Sequence, residues 1–592
     1  VSEHEAGDSA RQTLGGGARV SHALFISEQP QNRLPAPGGK GPAPPDQPRV
    51  HHASELWHMV GVSRQESKTP MSNRSKQIDM LFRQGQFLHK VGRLAEAEQV
   101  YRQILTVEPG YADAMHGLGI LALQAGQAHV AINYLDQAIA SRPSSTVYHL
   151  HRANALLALG RYDDAIATCR TVLRSRRHNP AAYQVLGHAL SDSGHHDDAL
   201  EAYRNAFRQD PRLPDIVNNL GTALRNLQRL EEAESRLREA RRLTPDDIGV
   251  LTNLSSVLKE LGRIDEAEAC LSEGLRRQHN NPVLLYNMGL LKLLRGDFAG
   301  GWAGFEYRFA SGAVPGRGLS KPQWRGEPLE NRTVLIHAEQ GLGDTLQFSR
   351  FVPTISGQVL FEVPRRLVRL LSGLPDLPRL IAAGDQLPEF DLVCPLMSVP
   401  GRLGVSIYSS PDTVPYLKAE PALVRHWSSR LGTQGFKVGI AWQGNPNRLE
   451  DIGRSVHLRE FEPLTRIPGV RLISLQKDYG TDQLQDVPDI ESFPDEFDTG
   501  EDAFVDTAAI MACLDLVIST DTAIAHLAGA LGRPVWVPLR MVPDWRWMLE
   551  RTDSPWYQTM LLFRQCRRGD WESVFSEMAA QLNVASRSQT NR

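Results

Sequence analysis

Five cysteines in 592 residues, at 169, 270, 394, 513 and 566, form no CxxC pair and no Cys/His cluster. That spacing excludes a zinc finger and a disulfide framework, and a reducing compartment is the expectation. No run of about 18 apolar residues occurs, so no helix is expected to span a bilayer. Charge of one sign is also lacking: 65 Lys and Arg stand against 68 Asp and Glu, a net charge of -3. A general binder of nucleic acid or anionic membrane would carry a large basic excess. The expectation is a large cytoplasmic protein with no nucleic-acid partner and no transmembrane segment.

Residues 1–75 have little apolar periodicity and contain Gly15-Gly16-Gly17 and a Pro/Gly-rich run from Pro35 to Pro45. Such a stretch cannot bury enough surface to offset its chain entropy and reads as a disordered extension. Val1 rather than Met opens the chain, and Met71 directly precedes the ordered pattern, which points to Met71 as a start.

From residue 78 a 34-residue period takes over. Gly92, Gly126, Gly160, Gly194, Gly262 and Gly296 keep that spacing, with Gln228 in the remaining slot. Ala97, Ala131, Ala165, Ala199, Ala233 and Ala267 run in phase, as do Pro109, Pro143, Pro211 and Pro245. A further small-residue series is Gly85, Gly119, Ala153, Gly187, Gly221, Ser255 and Gly289. Two helices per unit explain the set. Gly turns the chain at positive φ, Ala lets the second helix approach the first, and Pro closes the second helix. No unit buries its apolar face alone, so the units must stack.

The seven units over 78–308 resemble tetratricopeptide repeats. The resemblance implies an all-α solenoid whose concave groove takes a protein or peptide; a plain spacer or dimerising element is the alternative. Asn218, Asn219 and Asn253 fall on first helices, which line that groove, and Asn219 and Asn253 share a phase. Their amides could hold an extended peptide backbone, or could sit on a solvated face.

A Gly/Pro-rich linker follows at 309–322, and the helical period stops. Apolar β-rich runs now alternate with helical ones: 333–338, 358–363, 391–395, 437–442, 470–475, 514–519 and 534–539. Strands separated by amphipathic helices imply parallel sheets, and two α/β lobes are expected at 323–418 and 419–585. In such sheets ligands bind beyond the carboxyl ends of the strands. Two turns answer that description. In the first, a strand runs into Gly341-Leu342-Gly343-Asp344, where the glycines allow close ligand approach and Asp344 sits near a helix start. A plain capping carboxylate is the alternative for Asp344. In the second, a strand ends at Ser519, and Thr520 or Asp521 is expected to cap a helix carrying His526. The amides of Thr522 and Ala523 suit a diphosphate. Asp521 would then face sugar hydroxyls, and His526 is a ligand contact or a satisfied buried histidine.

Gly341–Thr345, Gly439-Ile-Ala-Trp-Gln-Gly-Asn-Pro446, Arg454-Ser455 and Asp521-Thr522-Ala523 with His526-Leu-Ala-Gly-Ala-Leu together resemble the heptosyltransferase-like (family 9) glycosyltransferases. The run Val542-Pro-Asp-Trp-Arg-Trp-Met548, with Ser554-Pro-Trp-Tyr557, is similar to the members fused to tetratricopeptide repeats. The layout is also similar to that of protein O-linked N-acetylglucosamine transferases. The resemblance implies a GT-B fold of two Rossmann-like lobes, with the C-terminal helix near 571–582 crossing back to the first. It implies Asp344 as general base, Arg454 steadying the diphosphate (with Arg448 as competitor for that role), and donor binding by Gly341, Gly343, Gln443, Gly444, Asn445, Asp521, Thr522, Ala523 and His526. Gln443, Gly444 and Asn445 also read as simple turn chemistry before Pro446.

No Asp-x-Asp pair is present, the pair by which metal-dependent transferases commonly hold a divalent ion. Metal-independent transfer is therefore expected, with no cofactor; the resemblance, through Asp344 as base opposite the leaving diphosphate, implies inversion and a nucleotide-sugar as substrate. Trp545, Trp547, Trp556 and Tyr557 read either as packing or as a stacking surface for a base or sugar. The acceptor is expected to be a protein or peptide gathered by the repeats, or else a lipid or surface glycan. The rival function is a non-enzymatic scaffold with vestigial lobes.

Overall fold

In the computed structural model, residues 73–374, 379–406, 414–446, 451–493 and 496–590 are described. Residues 1–72 of the expected extension, and Arg448, lie outside the described residues. The chain divides into two compact units between Cys270 and Leu271.

The first unit is a stack of helical hairpins. α1 (Asn73–Lys90) pairs with α2 (Leu94–Val107), α3 (Ala112–Gln124) with α4 (Ala128–Ser141), and α5 (Thr146–Ala158) with α6 (Tyr162–Ser175). α7 (Pro180–Asp192) pairs with α8 (His196–Gln209), α9 (Pro214–Asn226) with α10 (Leu230–Leu243), and α11 (Ile248–Glu260) precedes α12 (Ile264–Arg277). The periodic glycines take the left-handed turn between helices, with φ of 79° at Gly92, 72° at Gly126 and 86° at Gly194. Gln228 holds the same turn at φ 58°, so the break in the glycine series is not a break in the fold. The in-phase alanines are fully buried from Ala97 to Ala267. The small residues on first helices face a partner sixteen positions on. A Cβ added to Gly85 would lie 2.7 Å from Tyr101, and at Gly187 2.6 Å from Tyr203.

The second unit opens with the end of α12 and then a last hairpin, α13 (Pro282–Leu294) and α14 (Phe298–Phe305). The 309–322 stretch that follows is laid against the next lobe: Ala313 and Val314 are buried, and the Val393 N–H donates to the Pro322 carbonyl at 3.0 Å. β1 (Thr333–His337), β2 (Gln358–Val363), β3 (Arg379–Ala382) and β4 (Leu392–Pro395) form a parallel sheet ordered β3-β2-β1-β4. β5 (Phe436–Ala441), β6 (Val470–Ser474), β7 (Leu516–Ser519), β8 (Val535–Leu539) and β9 (Met560–Arg564) form a second parallel sheet ordered β6-β5-β7-β8-β9. Strand order reverses between β1 and β4, and again between β5 and β7; these are the places where such sheets open a ligand crevice.

Helix α15 (Leu342–Phe348) follows β1, α16 (Pro421–Leu431) precedes β5, α17 (Val505–Ala512) precedes β7, and α18 (Ala523–Ala530) joins β7 to β8. The C-terminal helix α19 (Trp571–Thr590) contributes Val574, Phe575, Met578 and Leu582 to the second sheet's own core. It therefore seals the second lobe instead of making the return to the first that the resemblance implied; its apolar face matches Phe461, whose ring lies 4.5 Å from that of Phe575.

Candidate functional site

Both turns singled out by sequence stand at the points of strand reversal, one beyond β1 and one beyond β7. At the first, Gln340 takes a positive φ of 63° and Gly341 is the N-cap of α15. Asp344 reaches back, and its Oδ2 accepts the Gly341 N–H at 2.8 Å. Its Oδ1 accepts Arg546 Nη2 at 2.5 Å. Asp344 is thus a capping carboxylate and an ion-pair partner at once. Nearby in the same turn, Glu339 is gripped by the buried Arg308, with Nη2 to Oε1 at 2.7 Å and Nε to Oε2 at 3.0 Å.

At the second turn the cap differs from expectation. Thr522 is the N-cap of α18, in extended conformation, while Thr520 and Asp521 lie before the helix. The reason lies in the strand: the Thr520 N–H is still bonded to the Ala441 carbonyl at 3.0 Å, so the chain has not yet turned. Thr522 Oγ1 lies 3.1 Å from Ser519 Oγ. Asp521 is buried, and burial raises its carboxyl above the ordinary range against the opposing charge of Arg454; Asp544 adds to the rise. His526 is buried with Nδ1 3.1 Å from the Tyr557 hydroxyl, and its ring stacks on Trp547 at 5.4 Å. Burial, then the charges of Arg546, Arg350 and Arg454, hold it well below the usual histidine range. Of the two readings of His526, the geometry is that of a satisfied neutral histidine.

The two turns meet. A Cβ on Gly343 would lie 3.2 Å from Ala523 Cα and 3.3 Å from His526 Cδ2. The glycine therefore serves contact between α15 and α18, where sequence reasoning gave it to a ligand. The connection between the lobes fastens both helices. The Tyr416 N–H donates to the Ala530 carbonyl at 3.0 Å and its hydroxyl to the Leu346 carbonyl at 3.0 Å.

The turn after β5 divides its residues. The Gly444 N–H donates to Ser455 Oγ at 2.9 Å, and Ser455 Oγ lies 2.7 Å from the Asp451 carboxylate. A Cβ on Gly444 would come within 2.5 Å of Asp451 Oδ1 and 2.9 Å of Arg454 Nη2, so this glycine makes room for both the carboxylate and the guanidinium. Arg454 lies near enough to Asp521 and His526 to act on both electrostatically. Gln443 is turned away from that group. Its Oε1 accepts Gln483 Nε2 at 2.8 Å, and its main chain is clasped by Gln476. Asn445 is half-buried in the same turn.

Sequence reasoning missed Arg546. Its guanidinium is buried, with Nε donating to Gln347 Oε1 at 2.7 Å and Nη1 to Asp544 Oδ1 at 2.9 Å, besides the bond to Asp344. The signal was an arginine between two tryptophans, two positions after an aspartate; the tryptophans drew the reading instead. Those aromatics are packing: Trp545, Trp547, Trp556 and Tyr557 are all buried. Around the seam, Gln340 Nε2, Gln347 Nε2, Thr520 Oγ1 and Arg454 Nε are buried without a hydrogen-bond partner. Interior polar groups are rarely left so, and a run of donors calls for an acceptor-rich occupant or water.

In the repeat stack the two asparagines do not form an open ladder. Asn219 Nδ2 lies 3.0 Å from His188 Nε2, and the buried Asn253 gives its Nδ2 to Asn218 Oδ1 at 3.0 Å. Neighbouring first helices run close enough that these side chains bond to one another across the repeat interface. Among the described residues, no group of three or more His, Cys, Asp or Glu side chains is placed to hold a metal ion, and no helix is long and apolar enough to cross a membrane.

Models of the tetratricopeptide repeat match residues 116–180 and 185–248, and 78–111 and 248–281. The chain is similar to protein FlbA of Caulobacter vibrioides, 26% identical over 329 residues, which cover 51% of this chain and 55% of that protein. It thus spans about half the length of this curated relative. Similar solved structures include a tetratricopeptide repeat protein of Thermus thermophilus, 21% identical over 31% of this chain and 99% of that one, with a TM-score of 0.29. Another is PilF of Pseudomonas aeruginosa, 15% identical over 36% of this chain and 97% of that one, with a TM-score of 0.32. The N-terminal region of this chain is a run of tetratricopeptide repeats, and it is followed by parallel α/β sheets.

Proposed function

We propose that the protein is a nucleotide-sugar-dependent glycosyltransferase with a GT-B arrangement of its two α/β lobes, acting in the cytoplasm on a protein or peptide gathered by the repeats. The observation that carries this reading is the meeting of the two strand-reversal turns, Gly341–Asp344 and Asp521–Ala523, among buried donors that lack a protein acceptor. The resemblance of the same turns to the heptosyltransferase-like family supports it.

In this reading the acceptor hydroxyl oxygen attacks the anomeric carbon, and Asp344 takes its proton. The bond from that carbon to the diphosphate breaks on the opposite face, and the leaving group departs with the electron pair. Arg454 and the N–H groups at the start of α18 face the charge that develops there, a role in which fixed donors are most effective away from bulk water. Donor entry has to open the contact between Gly343 and Ala523. The test is calorimetry of the purified chain against UDP-, GDP-, ADP-, TDP- and CMP-sugars, with Asp521→Ala as control. One donor should bind specifically and more weakly to the variant, and transfer should persist in excess EDTA. A second reading, a scaffold with vestigial lobes, draws on the closed seam and on the engagement of both Asp344 oxygens. Failure of a well-folded chain to bind any of these donors would leave that reading standing.

A further inference from the structure

We infer that Arg546 is a positioning residue for the transfer reaction, holding the Asp344 carboxylate in the orientation in which it takes the acceptor proton; this rests on the transferase reading above. Each nitrogen of the guanidinium has its own acceptor. Nη2 goes to Asp344, Nη1 to Asp544 and Nε to Gln347. The plane is further held over the Trp545 ring at 4.5 Å, and the Arg546 carbonyl accepts the Trp556 indole N–H at 2.8 Å. With a bond from each of its three nitrogens and a ring beneath its plane, the side chain is a rigid post.

Arg546 belongs to the segment after β8, whereas Asp344 and Gln347 belong to α15 in the other lobe. The orientation of Asp344 is therefore set across the seam, by a residue 202 positions away. Among the described residues of its own lobe, Asp344 is held by the Gly341 N–H alone, which grips one oxygen and leaves the plane free to rotate about that bond. Adding Arg546 to the other oxygen fixes the plane. Each carboxylate oxygen carries a second lone pair, so a proton can still be received. In the balanced step, the acceptor O–H proton passes to Asp344 as the new C–O bond forms. The C–O bond to phosphate breaks, and the nucleoside diphosphate leaves with its electron pair. Arg546 neither gives nor takes a proton.

The experiment uses the purified full chain and the nucleotide-sugar it turns over among the five classes above, with nucleotide release to water as the readout. Arg546→Gln should lower kcat about 100-fold, at the lower end of what general-base catalysis contributes. KM and the calorimetric Kd for the donor should stay within about threefold. Arg546→Lys keeps the charge but loses the fork and should fall between the two. Should Arg546→Gln fail to give a cooperative unfolding transition, Asp544→Asn, which loosens the post without touching Asp344, decides by the same split. A kcat within about threefold of wild type, or a loss carried wholly by donor KM, would overturn the inference alone. A wild-type chain that neither binds nor turns over any of the donors would overturn the transferase reading and this inference with it.

Discussion

Gln228 stands where the other turns of the array have glycine, at a φ that costs an L-residue about 1 kcal/mol or more. Its amide gains only a long 3.5 Å contact to Glu260 in return. Gln228→Gly should therefore stabilise the repeat stack by about 0.5 kcal/mol once glycine's extra chain entropy is counted, read as a higher urea midpoint. A lower midpoint would mean the Glu260 contact outweighs the backbone strain. At Gly343 the expectation runs the other way. A branched side chain there must push against the Ala523 backbone, so Gly343→Val should cost about 1–3 kcal/mol in the lobes, read as a lower urea midpoint. Retained stability would show that the seam yields easily. The turn residues that sequence reasoning singled out, Asp344, Arg454, Asp521, Thr522 and Ala523, lie in short motifs beside their own strands. Arg546 was not legible because its partners are fixed by tertiary packing across 202 positions, which no local pattern records.

Elements read unevenly, for physical reasons. The hairpins were legible because the 34-residue period repeats one set of contacts, glycine turn, buried alanine and closing proline, many times over. Seven strands were legible as buried apolar runs. β3 was not, being four residues long with Arg379 exposed at the edge of its sheet, and β9 was not, with Leu561 exposed between buried neighbours.

The same hairpins carry a feature the sequence hid. His116 of α3 and His151 of α5 stack at 4.8 Å with Nε2 2.6 Å from Nδ1. Burial lowers both, His151 to about 4, and His89 and Arg142 add positive charge beside His116. The unfolded histidines titrate near 6.5, so below that pH the unfolded chain binds more protons than the folded one. Stability is then complete above about pH 6.5 and falls as the pH drops toward 4, by roughly 3 kcal/mol at most for His151. The urea midpoint of the repeat stack should decline from about pH 7 to about 5, and His151→Gln should flatten that slope. An unchanged slope in the variant would assign the acid sensitivity to other groups.

At the scale of the molecule, the last hairpin behaves as part of the lobes. Trp302 lies 5.4 Å from Trp545, Phe298 lies 5.5 Å from Trp556, and the Trp302 indole N–H donates to the Val405 carbonyl at 2.9 Å. Arg308 then grips Glu339, just before the turn that carries Asp344. A fragment of residues 271–592 should unfold cooperatively. One of residues 323–592 uncovers several large aromatics, each worth about 1.5–3 kcal/mol of burial, and should aggregate or melt at least about 10 °C lower. Equal melting of the two fragments would make the hairpin dispensable to the lobes.

That anchoring gives the two ends of the repeat array different freedoms. Within the first unit each hairpin packs on the hairpins beside it, so hairpins between Gly92 and Gly194 can be gained or lost in whole 34-residue steps. The hairpin at Trp302 cannot be exchanged in this way, because its aromatics are cut to fit Trp545 and Trp556. The number of repeats is thus a dial that can be turned without disturbing the aromatic packing at Trp302.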